Sequence, residues 1–288
     1  MSAPLPFRLM GVVNVTPDSF SDGGLFLRPD AAVAHGQKLA DEGAAIIDVG
    51  GESTRPGALP VIAEEERLRV VPVVERLVRA GCPAQISVDT SKVSVAEPAL
   101  TAGATFVNDV TAFRAEPELA GLVADRRADC ALMHMLGDPR TMQEAPHYEN
   151  VVDEVRAFLE ERLEFAVREG IAEERILLDP GIGFGKTLEH NLELLRHLDR
   201  LRTLGRPLLV GTSRKSFLGR LATRDGRRPP PPPEERLPGT IATCVLALER
   251  GAQVFRVHDV GPVHDALAVA GATLTARWAP TTTRIRTS

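Results

Sequence analysis

A closed barrel of eight parallel strands, each followed by a helix, is the fold the sequence predicts, and three observations predict it. Eight short runs rich in Val, Ile and Leu recur along 288 residues, each halting at a polar residue near Gly, Pro, Ser or Thr. None alternates polar with apolar, which suits strands buried on both faces. Longer amphipathic segments separate the runs, and about 250 residues is the usual size of a (β/α)8 barrel. An open doubly wound sheet is the competing arrangement; eight evenly paced units with none left over favour closure.

The runs, in order, are LMGVVN to Asn14, AAIID to Asp48, QISVD to Asp89, TFVN to Asn108, CALMH to His134, RILLD to Asp179, PLLVGTS to Ser213 and VFRVH to His258. Helical segments lie between them at 31–43, 64–81, 151–170 and 188–198. In 151–170 the apolar residues Val151, Val155, Phe158, Leu159, Leu163 and Ala166 recur at helical spacing. Gly43, Gly81 and Gly170 stand where helices should stop. One segment breaks the rhythm. At about 222–236 the chain reads ATRDGRRPPPPPEER, and five consecutive prolines can be neither helix nor central strand. They are expected to form a stiff, exposed polyproline II excursion from the loop after the seventh strand. The barrel domain is expected over 1–278, with a frayed tail over 279–288.

Bulk properties exclude several classes. The formal net charge is −5, the pI about 5.9, and no long basic run exists, so a nucleic-acid or anionic-membrane binder is not expected. Cys82, Cys130 and Cys244 are widely separated and form no CxxC pair, which argues against a disulfide framework or a structural zinc and fits a reducing cytosol. The stretch MSAPLPFRLMGVVNV lacks the charged start and apolar run of a signal peptide. No apolar stretch approaches the about 18 residues needed to span a membrane.

The stretch ILLDPGIGFGKT at 176–187 looks like a phosphate loop but is not one. GxxxxGK[ST] requires glycine where Pro180 stands, and GxGxxG requires glycine where Lys186 stands. Gly181, Gly183 and Gly185 instead follow a strand ending in Asp179. Small residues there would let the backbone turn sharply and a flat ligand lie close to the main chain. In a barrel all eight strand ends meet around one mouth. Asn14, Asp89, Asn108, Asp179, Arg256 and His258 would therefore become neighbours.

Around those ends stand MGVVNVTPDSFSDGG, IIDVGGESTRPGA, LMHMLGDPRTMQ, LLDPGIGFGK, LVGTSRKS and RVHDV. From about Leu9 to about Ala276, these motifs and their order resemble the dihydropteroate synthases, pterin-binding barrel enzymes of folate biosynthesis. The resemblance implies joining p-aminobenzoate to the diphosphate ester of 6-hydroxymethyl-7,8-dihydropterin with release of diphosphate. It also implies Mg²⁺ and a homodimer, and the cysteine pattern already noted makes the expected location cytoplasmic.

The residue chemistry suits that task. A pterin edge carries alternating donors and acceptors; the Asp179 carboxylate can accept two bonds from it, and Asn108 can serve its mixed part. Lys215 can donate to ring oxygen or nitrogen. Phe184, Met133 and Val110 supply apolar faces. By resemblance Asp89 also lies in the pterin pocket, where its charge would stabilise cationic character as the leaving group departs. Asp89, Lys215 and Arg256 are the residues expected to act in catalysis. Arg256 and His258, two apart on one strand, point the same way and would hold the diphosphate, with Asn14 and Thr54. Asn14 would also hold Mg²⁺ through its amide oxygen. The loops at 15–24 and 51–58 resemble the family's mobile loops. Their Phe20, Thr54, Arg55 and Pro56 would build the p-aminobenzoate pocket with Phe184, Lys215 and Ser216.

Plainer readings stand beside these. A lone Asp or Asn ending a strand is more often a cap or turn former than a ligand contact. Asp48 is read as structural, Asp109 and Asp259 as caps or supporting groups, and His134 as a satisfied core residue. Lys92 and Lys186 are read as surface charges, and His35, His147, His190, His197 and His264 as solvated. A pterin-binding methyltransferase would share the barrel and the pterin edge but not need STRPGA or the SRKS lysine in this form. A silent pterin-binding module would leave Asn14, Arg55, Arg256 and His258 without purpose.

Overall fold

Parity along each strand decides what the barrel contains. In the computed structural model, which describes residues 7–16, 29–53, 57–138, 140–223 and 229–276, eight strands pair in parallel. They are β1 Arg8–Asn14, β2 Ile46–Gly50, β3 Gln85–Asp89, β4 Phe106–Asp109, β5 Asp129–Met133, β6 Ile176–Asp179, β7 Leu209–Val210 and β8 Val254–Val257. The order is β6-β5-β4-β3-β2-β1-β8-β7. A parallel bridge between Leu178 and Leu208, with Leu178 N–H donating to Pro207 O at 3.0 Å, closes the cylinder. The seventh strand is shorter than its run: Gly211 and a tight turn at Thr212–Lys215 end it early.

Successive side chains on a strand face opposite ways. Met10, Ile46, Phe106, Ala131, Leu177, Leu209 and Val254 form one buried cluster inside the barrel. Residues of the other parity, such as Leu9, Ile47, Val107, Cys130, Leu178 and Phe255, belong to a much larger cluster shared with the helices. The strands are thus apolar on both faces over their first half, as their unbroken Val/Ile/Leu character requires.

The helices are α1 Pro29–Asp41, α2 Ala63–Arg79, α3 Val93–Thr101, α4 Glu118–Asp125, α5 Val151–Arg168, α6 Leu188–Arg196, α7 Leu198–Leu201, α8 Ser216–Ala222, α9 Leu237–Glu249 and α10 Val260–Thr275. Local chemistry sets their ends. The Asn150 side chain accepts from Val152 N and Asp153 N to start α5. Gly170, at φ +94°, lets the chain leave it. After α8, Pro229–Pro232 form neither helix nor strand, Pro232 has polyproline II angles (φ −62°, ψ 161°), and Pro233–Arg236 make one 3₁₀ turn. The segment 224–228 and the tail over 279–288 lie outside the described residues.

Candidate active site at the barrel mouth

Two residues beyond the apolar interior layer, the same strands turn polar. On β2, Asp48 follows Ile46 and is fully buried. Its Oδ1 accepts from Ser87 Oγ at 2.6 Å. Its Oδ2 accepts from Asn108 Nδ2 at 3.0 Å and from Arg256 Nε at 2.7 Å. Arg256 Nη2 donates in turn to Asp89 Oδ2 at 2.6 Å. One guanidinium therefore bridges carboxylates from two neighbouring strands, a use that suits its planar fork. Burial works against the charge of Arg256, but the carboxylates of Asp48 and Asp89 hold its pKa above the ordinary value. Burial pushes the Asp89 carboxyl up; Arg256 opposes that, and the negative charge of Asp48 adds to it.

The loop after β6 forms the second half of the mouth. Asp179 is buried, and its Oδ1 accepts from Gly181 N at 2.7 Å. Burial raises its pKa, with the positive charge of Lys215 opposing most strongly and Arg256 also contributing. Lys215 lies with its Nζ 4.4 Å from the centre of the Phe184 ring and donates to the Ile182 carbonyl. Burial lowers its pKa to about 7; Asp179 pulls upward and Arg256 pushes down. Phe184 and Val110 pack against a cluster of Met133, Met135 and Met142, which gives the mouth an apolar wall.

The glycines turn the backbone sharply, as the sequence suggests, and two of them have a further reason. Gly181, Gly183 and Gly185 all have positive φ. A Cβ on Gly181 would collide with the His134 carbonyl, and one on Gly185 would lie 2.7 Å from Leu136 Cβ. Those two close the β6 loop onto the β5 loop rather than onto a ligand. Only Gly183 faces the site, where a Cβ would meet Lys215 Cδ at 2.8 Å.

Asn108, Met133, Asp179, Asp89 and Arg256 thus gather on one inward ring, with Phe184 and Lys215 above it. Asn14 ends β1 on the parity of Met10, half-buried and in register with Gly50. His258 lies one residue past β8, its Nδ1 3.0 Å from Ser213 Oγ. Ser216 opens α8 and is exposed. Phe20, Thr54, Arg55 and Pro56 lie outside the described residues. Among the described residues, no three or more His, Cys, Asp or Glu side chains could hold a metal ion.

Several plain readings need correction. Asp48 is structural in a stronger sense than a cap, since it holds both Arg256 and Asn108. Lys186 is not a surface charge: it is buried, with Nζ 2.9 Å from His134 Nδ1 and donating to Phe184 O at 2.9 Å. Lys92 is no solvated charge either; its Nζ donates to Glu66 (2.5 Å), Glu52 (2.6 Å) and Val61 O (2.7 Å). Of the histidines read as solvated, His147 is exposed while His35, His190, His197 and His264 are half-exposed, and His190 Nδ1 accepts from Thr187 N at the start of α6. Asp109 is a turn former, accepting from Thr111 N and Phe113 N, each at 2.7 Å. Of the two readings of Asp259 the supporting one holds: it makes no side-chain cap and pairs with Arg214.

Residues 10–258 match the family model described as pterin binding enzyme. A dihydropteroate synthase from Escherichia coli (strain K12) is 46% identical over 270 residues, covering 94% of this chain and 93% of the relative. One from Mycobacterium leprae is 47% identical over 272 residues, covering 93% and 94%. Among solved structures, the Yersinia pestis dihydropteroate synthase with a sulfonamide drug complex superposes with a TM-score of 0.86 at 44% identity, covering 93% of this chain and 94% of that one. The Xanthomonas albilineans enzyme with 4-aminobenzoic acid gives 0.85 at 51%, covering 93% of both chains.

Proposed function

This chain belongs to the pterin binding enzyme family, and from that premise we infer that it acts as a dihydropteroate synthase. It is a transferase that condenses 6-hydroxymethyl-7,8-dihydropterin diphosphate with p-aminobenzoate to give 7,8-dihydropteroate and diphosphate. The observation that carries this reading is one mouth in which a buried carboxylate, Asp179, faces a lysine and an arginine. The first suits a pterin edge and the last a diphosphate. A structure of the Xanthomonas albilineans relative in complex with 7,8-dihydropteroate supports it, at 49% identity. By the same likeness the chain is a sulfonamide target.

In this reading the amine nitrogen of p-aminobenzoate attacks the methylene carbon of the pterin ester. The C–O bond to diphosphate breaks, and the amine loses a proton. Asp179 accepts from the pterin amino group and ring N–H, Asn108 serves the mixed edge, and Lys215 donates to the ring. Phe184, Met133 and Val110 flank its face. Arg256 exchanges carboxylate contacts for diphosphate oxygens, and Asp89, released from it, faces the cationic character that develops on the ring. His258, Asn14 and Thr54 complete the diphosphate end. Phe20, Thr54, Arg55, Pro56 and Ser216 surround p-aminobenzoate with Phe184 and Lys215. Catalysis is positioning plus charge stabilisation, with no covalent enzyme intermediate.

Mg²⁺ fits this donor set: it takes one or two protein oxygens and fills its shell with phosphate and water, and Asn14 offers such an oxygen at the mouth. When bound it would neutralise charge on the diphosphate. The working unit is proposed as a homodimer in the cytosol. Leu246 on α9 and Val269 and Leu274 on α10 supply exposed apolar surface for a second copy. Cys82, Cys130 and Cys244 are free thiols. No helix among the described residues is long and apolar enough to cross a membrane.

The test is direct. With the pterin diphosphate, p-aminobenzoate and Mg²⁺ present, diphosphate release should require all three. Release that ignores p-aminobenzoate would overturn the reading.

A further inference from the structure

The proline excursion and the Lys215 loop meet at a strained backbone position. Arg214 has φ +60°, in the left-handed region, without being glycine. Such a conformation persists only where neighbours hold it. Its N–H donates to Thr240 Oγ1 at 3.1 Å. Its guanidinium donates twice to Asp259, at 2.9 and 2.5 Å. Its carbonyl accepts from Arg236 Nη1 at 2.9 Å. That carbonyl belongs to the peptide joining Arg214 to Lys215, so its direction sets where the Lys215 side chain leaves the backbone.

Arg236 is itself fixed from the proline side, because its Nε donates to Pro231 O at 2.8 Å. Proline rings restrict φ, so little chain freedom is lost in presenting that carbonyl. The surface of α8 is shaped to admit the guanidinium: a Cβ on Gly219 would lie 2.9 Å from Arg236 Nε and 3.3 Å from Pro230 Cβ. From the pinned backbone Lys215 reaches across Phe184 to Ile182 O. Asp179, Arg256 and Lys186 are the charged groups that face it.

We propose that Arg236, carried on the proline-rich excursion, is a positioning residue for Lys215: it fixes the Arg214 carbonyl and thereby aims the Lys215 amine into the mouth. The excursion is then a brace of the site rather than a bland insertion. This rests on the reading of Lys215 as a pterin-binding residue.

The test compares the full-length chain with R236M, R236K and K215M, measuring kcat, KM for the pterin diphosphate, pterin affinity and the pH dependence of kcat/KM. R236M should lower kcat/KM about tenfold, as expected of a displaced positioning contact. It should also move the Lys215 titration upward from about 7 as that amine gains water. R236K keeps the charge but lacks the fork, and should fall between R236M and the natural protein. A folded R236M with an unchanged kcat/KM and pH profile overturns the proposal, as does a loss of stability that leaves the profile in place. If R236M does not fold, an unchanged R236K profile overturns it equally. K215M separates the two readings. Natural pterin affinity in K215M removes the Lys215 assignment, whereas impaired K215M beside an unaltered R236M removes the brace alone.

Discussion

The lower and upper layers of the barrel interior are built from the same strands, two residues apart, and differ in almost everything else. Below, Met10, Ile46, Phe106, Ala131, Leu177, Leu209 and Val254 fill space with carbon. Above, Asp48, Asn108, Asp179 and Arg256 stand at the next inward positions; Asp48, Asn108 and Arg256 are tied to one another and to Asp89 by short polar bonds, and Asp179 accepts from Gly181 N. The lower layer needs only volume. The upper layer carries charges that burial penalises and that survive because each has a partner. Such partners can be exchanged for groups of a ligand, which carbon packing cannot offer.

The comparison can be broken from its lower side first. Phe106→Ala should cost about 4 kcal/mol of unfolding free energy in a denaturant titration, the usual cost of emptying a large aromatic site. Pterin affinity of the folded fraction should change little; an equal loss of both would erase the distinction between layers. Asp48→Ala should cost about 3 kcal/mol, because it removes the fully buried carboxylate that holds Asn108 and the half-buried Arg256. Unlike Phe106→Ala, it should also depress turnover by the remaining folded enzyme, measurable at saturating substrate.

Asp179→Ala sharpens the contrast. Calorimetry should show pterin binding weakened by about 2 kcal/mol, roughly 30-fold, with the melting temperature nearly unchanged. Unaltered affinity would contradict the role given to Asp179. Arg256→Ala should weaken binding of the diphosphate ester about tenfold more than that of the free hydroxymethyl pterin, a difference of about 1.4 kcal/mol. Equal losses would show that Arg256 does not hold the diphosphate.

The last effect, about 1.4 kcal/mol for each pH unit, concerns pH. Lys215 titrates near 7 in the folded chain against an ordinary 10.5, so between those values the unfolded chain binds the extra proton. Its contribution to unfolding free energy therefore rises with pH across that window. Lys215→Met should remove this slope. Parallel stability curves for the two proteins would place the titration elsewhere.

Much of this was legible in the sequence because strand ends are local features. Unbroken Val/Ile/Leu runs stopping at Asp48, Asp89, Asn108 and Asp179 announce both the strands and the polar ring, and the barrel brings the ends together. Pairing is not local. Arg256 meets Asp48 from the opposite end of the chain, and no motif signals that a carboxylate read as structural will hold it. Lys186 looks like any lysine beside a glycine loop until His134, from the preceding strand's end, is found beneath it. Two of the glycines misled in part for the same reason: beyond the sharp turn the sequence suggests, Gly181 and Gly185 are constrained by His134 and Leu136 from another loop. The signal that could have exposed Lys186 is its place inside a tightly turning apolar loop, where a long side chain has little route to water.

Seven seams of this cylinder are strand ladders, while the eighth, between β6 and β7, is a single bridge at Leu178 and Leu208 beside one hydrogen bond to Pro207. The loops leaving either side of it are those bearing Phe184 and Lys215. A wall thinnest at that point breathes there most cheaply, so its amides should trade hydrogen for deuterium before those of the opposite side, and the opening should part the aromatic ring from the amine.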